Sequence, residues 1–313
     1  MLTKNQRSNP RMKIHICMTT DVRWIRFAER AIYDIIIRRN PETELKFYVL
    51  IDGDFDTSEL SKFNAIDGVE VVTQQVDVKK EFGDLPNYPY HYIGKFKHLK
   101  FLIPELPLFE GVERVLYLDV DILVRKDLTE LYTVDLDDKP LGCVRDYYNL
   151  LGTAWMGNLA MCGLKIESGF AVMDLPKLRE EDFVAKCKEA SVGVSGDVAV
   201  INAVYFRMAK LLDPKFELPF HEMTVNPGFN YIDKWNQYCG TKYQNINELV
   251  EQSVMWHFSG DKEFMYLGNT FIQTVFRLSE NRLSKFLRTG EVMQWTEDDD
   301  AHLLGFLKPV ISG

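Results

Sequence analysis

Between Lys13 and Val76, apolar runs alternate with helix-like stripes, and that alternation restricts the fold more than any other property of the chain. The segment KIHICMTTD reads as a strand that breaks into a Thr-Thr-Asp loop. Trp24, Phe27, Ala28, Ala31, Ile32 and Ile35 then recur at three- and four-residue steps, the stripe of an amphipathic helix, which stops where Asn40 precedes Pro41. ELKFYVLIDGD is a near-continuous apolar run closed by Asp-Gly, and VEVVTQQV is another beyond a second helical stretch. A β-α-β-α-β order predicts a parallel sheet with right-handed connections. Ligands of such sheets sit at the carboxyl ends of the strands.

The run RVLYLDVDILV, residues 114–124, puts two carboxylates into what reads as a buried strand. Alternation along a strand sends Asp119 and Asp121 to one side and Val120 to the other. Carboxylates that close repel one another unless solvated, protonated or bridged by a cation. Magnesium and manganese take oxygen ligands, commonly one or two carboxylates, and leave positions for diphosphate oxygens. The competing reading is a strand end whose aspartates are solvated or cap a turn. A phosphatase also places Asp-x-Asp after an apolar strand, with the first Asp as nucleophile, but it wants Thr or Val where this chain has Leu123.

Lys and Arg total 37 against 46 Asp and Glu, a net charge of -9, so no global field favours nucleic acid, and an anionic ligand needs a cation to mediate. Five scattered cysteines without a C-x-x-C argue against both a disulfide framework and a zinc knuckle. The basic start is followed by too short an apolar stretch for a signal peptide, and no run has the length of a membrane span. A cytoplasmic protein with at most peripheral membrane association is expected. Further on, SGFAVMDL reads as a strand, SGDVAVINAVYF as a helix start, and VMWHFSGDKEF as a strand emptying into a loop. The simplest partition is a flexible tail over 1–12, one domain over 13–268 and a helical, then ragged, C-terminal extension over 269–313.

VLYLDVDILV together with the late HFSGDK resembles glycosyltransferase family 8, the retaining enzymes that include glycogenin and bacterial lipopolysaccharide galactosyl- and glucosyltransferases; the likeness covers about residues 13–265. It implies the GT-A fold, an α/β architecture with a Rossmann-like mixed sheet flanked by helices. It also implies Mn2+ (or Mg2+) held by Asp119, Asp121 and His257 and completed by the diphosphate of a UDP-sugar donor. On its own, His257 in the apolar MWHF reads more readily as a satisfied core histidine than as a ligand. The resemblance further implies that Gly260 lets backbone approach the phosphates and that Lys262 neutralises them, although this lysine stands five residues after the histidine where the family usually has six. Lys100, before IPEL, matches a cation that contacts donor phosphate or sugar; its alternative is a solvated helix lysine. Thr19, Thr20 and Asp21, with the backbone at Val120, match the cradle for uracil and ribose, and capping of the next helix is the alternative for the former. Asp146 falls where relatives face donor sugar or acceptor, or is an ordinary loop aspartate. Asp197 matches the aspartate of a D-Q-x-x-x-N segment that bonds sugar hydroxyls, or is an N-cap.

Two departures stand out. Val198 replaces the usual Gln after Asp197, and Glu167, preceding Ser168 in IESGF, replaces the usual Asn. An apolar valine can neither stabilise nor attack an oxocarbenium ion, so Glu167 is expected to take up that duty beside Asp119, Asp121 and Asp197, or the donor differs, or activity is impaired. The expected function is retaining transfer of glucose or galactose to a glycan or lipopolysaccharide-type acceptor. The alternatives are a non-catalytic relative that binds nucleotide sugar and, behind it, the phosphatase.

Overall fold

The computed structural model describes residues 11–85, 94–146, 165–194, 196–205, 207–219, 231–258 and 270–311. The first three strands are β1 (Met12–Asp21), β2 (Thr43–Asp52) and β3 (Val69–Gln75), and they pair in parallel as β1 with β2 and β2 with β3. The near-continuous apolar runs of β1 and β2 are explained by their place inside the sheet, with both faces covered. β1 extends through Thr19, Thr20 and Asp21, each paired with β2, so the expected Thr-Thr-Asp loop is strand. Met12 likewise belongs to β1 and not to a tail.

RVLYLDVDILV is not one strand. It divides into β4 (Arg114–Leu118) and β5 (Ile122–Val124), with Asp119, Val120 and Asp121 in the bend between them. β4 lies parallel to β1 and antiparallel to β7 (Phe170–Asp174), and β6 (Leu141–Cys143) and β8 (Ala209–Leu211) complete the sheet in the order β3-β2-β1-β4-β7-β6-β8. β5 leaves it to join a second sheet with β10 (Met255–His257) and β9 (Leu218–Pro219), in the order β5-β10-β9. The Asp-x-Asp carboxylates therefore project from a crossing between sheets, and strand alternation is not what directs them.

The first helix, Ile25–Arg38, is buried on more than its apolar stripe, for Arg30, Asp34 and Arg38 are also inaccessible. Arg38 Nη1 donates to Asp34 Oδ1 (3.0 Å), Arg30 stacks 3.7 Å from the centroid of Phe276, and Arg38 stacks 3.7 Å from Trp295. The aromatic rings come from the C-terminal segment, whose helix Thr270–Thr289 packs on the first helix. Leu283, Phe286 and Leu303 enter the same core as β1 and β2. The acidic run from Glu297 is not ragged. It forms the first turn of a helix, Glu297–Ile311, the end at which negative side chains oppose the helix dipole favourably.

Candidate active site

The bend between β4 and β5 is held at both ends by backbone. Asp119 N donates to Gly169 O (2.7 Å), and Phe258 N donates to Asp121 O (2.9 Å). From below, Arg30 Nη2 donates to the carbonyl of Ile122 (3.0 Å) and lies 3.5 Å from that of Val120, which is buried. A turn fixed this way presents its carboxylates without side-chain alternation.

Those carboxylates meet His257 at the end of β10, which antiparallel pairing with β5 sets beside Ile122. His257 Nε2 lies 3.3 Å from Asp121 Oδ1 and 4.0 Å from Asp119 Oδ2, and one ligand atom from each residue falls within a 4.8 Å span. All three side chains are buried. Two oxygens and an imidazole nitrogen suit Mn2+ or Mg2+, so this donor set fits the expected ion. Burial would lower the His257 pKa, but Asp121 and then Glu217 outweigh it and hold the imidazolium well above its ordinary range.

On the far side of Asp119 stand two lysines from a run of 3-10 turns, Lys95–Glu105. Lys100 Nζ donates to Asp119 Oδ1 (3.4 Å), to the Ser168 carbonyl (2.8 Å) and to Asp197 Oδ2 (2.7 Å). It is buried, so it is not a solvated helix lysine. Lys97 Nζ donates to Asp119 Oδ2 (3.2 Å). Burial acts to lower both lysine pKa values, and the facing aspartates, Asp119 first, raise them beyond it. Tyr117 OH donates to Asp119 Oδ1 in a short bond, which uses the only phenolic proton, so Thr19 Oγ1 is the donor in its 3.1 Å contact with Tyr117 OH. Thr19 thus joins the cluster through Tyr117.

Asp197 opens the helix Asp197–Tyr205 and accepts from Ser168 Oγ (2.9 Å) as well as from Lys100. Burial would push its carboxyl up, but Lys100 and then Lys97 hold it well below the usual range. Glu167 Oε1 accepts from the backbone of Ser168 (3.0 Å) and Gly169 (3.3 Å). Its carboxyl is shifted upward, by burial first and the nearby Asp146 second. Asp146 is itself buried in a close ion pair with Lys165.

The structure therefore gathers Asp119, Asp121, His257, Lys100, Asp197, Ser168 and Glu167 into one cluster. Thr20 and Asp21 stand apart at the end of β1, where Thr20 Oγ1 donates to the Asp21 carbonyl (3.2 Å) and Arg23 donates to both Asp21 carboxylate oxygens. Asp21 folds back on Arg23, and no side chain caps the first helix. Val198 is half-buried, and its carbonyl accepts from Asn202 Nδ2 (2.7 Å). Gly260 and Lys262 lie outside the described residues.

Four residues at this site were given no role by the sequence reading, although Asn202 closes the D-Q-x-x-x-N segment that begins at Asp197. Lys97 is three residues before Lys100, a spacing that could have raised it. Asn202 bonds both the N–H and the carbonyl of Ile166 (2.8 Å each) and so fixes the segment before β7 that carries Glu167. Glu217, 1% exposed, faces His257 Nδ1 at 2.6 Å, and burial drives its carboxyl up to about 7 against the opposing pull of His257. Its only signal was a single carboxylate in the apolar stretch KFELPF. Gly169 lies against the His257 ring, and a Cβ there would come within 2.3 Å of it.

A profile of the family described as Glycosyl transferase family 8 matches residues 15–263. Probable galacturonosyltransferase 7 of Arabidopsis thaliana is 26% identical over 206 residues, 63% of this chain, and the chain spans only 30% of that longer protein. General stress protein A of Bacillus subtilis is 22% identical over 263 residues, 80% of this chain and 86% of the relative. Among solved structures, an active-site mutant of LgtC superposes with a TM-score of 0.67 at 18% identity, covering 86% of this chain and 96% of that one. The galactosyltransferase LgtC with donor and acceptor sugar analogs gives 0.65 at 16%, covering 93% and 99%. Both likenesses support the GT-A fold. The profile match takes in the whole cluster from Thr19 to His257, and the chain belongs to glycosyltransferase family 8.

Proposed function

We propose that this protein is a retaining hexosyltransferase that moves glucose or galactose from a UDP-sugar to a hydroxyl of a glycan or lipopolysaccharide-type acceptor, and that it needs Mn2+ or Mg2+. The observation that carries the reading is the convergence of Asp119, Asp121 and His257 within 4.8 Å, next to the Lys100–Asp197 pair. A divalent ion there would offset charge developing on the leaving diphosphate, sparing the protein a general acid. In this reading Thr19, Thr20, Asp21 and the Val120 backbone line the uridine end, with Gly260 and Lys262 assigned to the phosphates. Lys100 and Lys97 add positive charge beside the diphosphate. Asp197, kept ionised by Lys100, accepts hydrogen bonds from sugar hydroxyls, and Asp146 lies toward the sugar or acceptor. The acceptor's proton leaves with the departing phosphate in a front-face attack. A cytoplasmic location and the domain partition, with Met12 moved from the tail into the domain and the extension helical, belong to the same reading. Among the described residues, no helix is long and apolar enough to cross a membrane.

Glu167 is the proposed substitute for the family's amide beside the anomeric carbon. Glu167→Gln keeps the shape and removes the charge. A fall in kcat of about 10²-fold with donor affinity kept is expected for an electrostatic role in the transition state. Unchanged kinetics would remove Glu167 from the mechanism.

The second reading, a non-catalytic binder of nucleotide sugar, is motivated by Val198. The two are separated by incubating the purified protein with Mn2+ and UDP-glucose, UDP-galactose or UDP-galacturonate, the last suggested by the plant relative's name. Release of UDP from any of them supports the enzyme. Tight donor binding without turnover across the panel and an acceptor library supports the binder.

A further inference from the structure

We infer that Glu217 is a positioning residue for metal capture: by accepting the Nδ1 proton of His257 it fixes which imidazole nitrogen is offered toward Asp119 and Asp121. The inference rests on the metal-site reading above and assigns a residue outside the ligand set. Parallel pairing of β9 with β10 aligns Pro219 with His257, which brings Glu217, just before β9, to the back edge of the ring. Glu217 Oε1 is 2.6 Å from Nδ1, whereas Nε2 looks the other way, toward Asp121 Oδ1 at 3.3 Å and Asp119 Oδ2 at 4.0 Å.

A neutral imidazole carries one proton. If Nδ1 holds it for Glu217, Nε2 is a lone pair facing two carboxylates, an arrangement of acceptors alone that only a cation or a proton between them relieves. The opposite tautomer would set the Nδ1 lone pair against a carboxylate 1% exposed, with Glu167 as the next acidic neighbour. Each tautomer leaves one lone pair facing a carboxylate, and the shorter contact, 2.6 Å at Nδ1 against 3.3 Å at Nε2, places the proton on Nδ1 and the free lone pair on the Asp119–Asp121 side. Histidine ligands of metals commonly donate their second N–H to a carboxylate, and loss of that partner weakens metal binding by roughly 10–100-fold.

Gly169 gives independent support. A Cβ at this position would lie 2.3 Å from His257 Cε1, 2.5 Å from Nδ1 and 2.6 Å from Glu217 Oε1. The ring edge and the carboxylate therefore meet over a bare Cα, and the Gly169 carbonyl also receives the Asp119 N–H. One backbone residue thereby sets the histidine–carboxylate contact and one end of the Asp-x-Asp bend.

The test is a Mn2+ titration followed by electron paramagnetic resonance in the presence of UDP, on wild type, Glu217→Gln and Glu217→Asp. The expected result is a loss of Mn2+ affinity of about 10–100-fold in Glu217→Gln, with partial recovery in Glu217→Asp. Wild-type affinity in Glu217→Gln overturns the role of Glu217 and leaves the metal site standing. Failure of the wild type to bind Mn2+ overturns the metal reading itself. Wild-type protein with ¹⁵N-labelled histidine, Mg2+ and UDP provides a measurement that needs no variant. His257 should keep its Nδ1 proton and carry none on Nε2, and a proton on Nε2 with bare Nδ1 overturns the inference.

Discussion

The end of β1 and the bend after β4 lie side by side in the sheet, yet they handle charge in opposite ways. At β1, Asp21 is closed off by Arg23, its neighbour but one, whose side chain is 57% exposed. The pair is local, its guanidinium stands in solvent, and buried Asp21 keeps the Arg23 backbone N–H as a second partner, so the side-chain contact contributes little to stability. After β4, Asp119 is buried among Lys97, Lys100 and Tyr117, while Asp121 and Glu217 flank His257 from segments far apart in sequence. Buried charges of that kind are tolerable only together, because removing one leaves its partners in low dielectric without compensation. The difference teaches where this protein is adaptable: the rim of β1 can lose a side chain cheaply, and the bend cannot.

Variants should break the two regions unequally. The largest effect is expected for His257→Ala and Asp121→Asn, which remove a proposed metal ligand. Transfer should fall by on the order of 10³-fold or more at limiting Mn2+, while circular dichroism stays that of wild type. A variant with wild-type turnover would strike that residue from the ligand set. Next is Lys100→Met, which strands Asp119 and Asp197. A loss of about 3–5 kcal/mol in urea unfolding is expected, and a loss under ~1 kcal/mol would show that Lys97 or water replaces the ammonium. The smallest is Arg23→Ala, with at most about 1 kcal/mol. A larger drop would mean that the β1 rim is coupled to the bend after all.

The same contrast explains what could be read in the chain. The parallel β1-β2-β3 arrangement was legible because its strands and the first helix follow one another, with burial written as uninterrupted apolar runs. Asp119, Asp121 and His257 were legible as motif residues, although the route by which the carboxylates converge was not. A hydropathy pattern cannot show that a strand changes sheets after Leu118, since both halves are buried. Glu217, Asn202 and Gly169 act through a close charged contact, long-range hydrogen bonds and tight packing, which leave no periodic trace in sequence. Arg30, Asp34 and Arg38 follow an i, i+4 pattern that marks a solvated helix face elsewhere. Here the C-terminal aromatics Phe276 and Trp295 cover it.

The central claim is that Asp119, Asp121 and His257 build one site shared by a divalent ion and a diphosphate. Each should then supply what the other lacks, the ion its charge and the diphosphate its oxygens. Calorimetric titration of UDP into the protein with and without saturating Mn2+ tests this directly. The account predicts that Mn2+ tightens UDP by at least about 10-fold, with the reciprocal gain for Mn2+ when UDP is present, a coupling of roughly 1.4 kcal/mol or more. Equal UDP affinity in both titrations would contradict it.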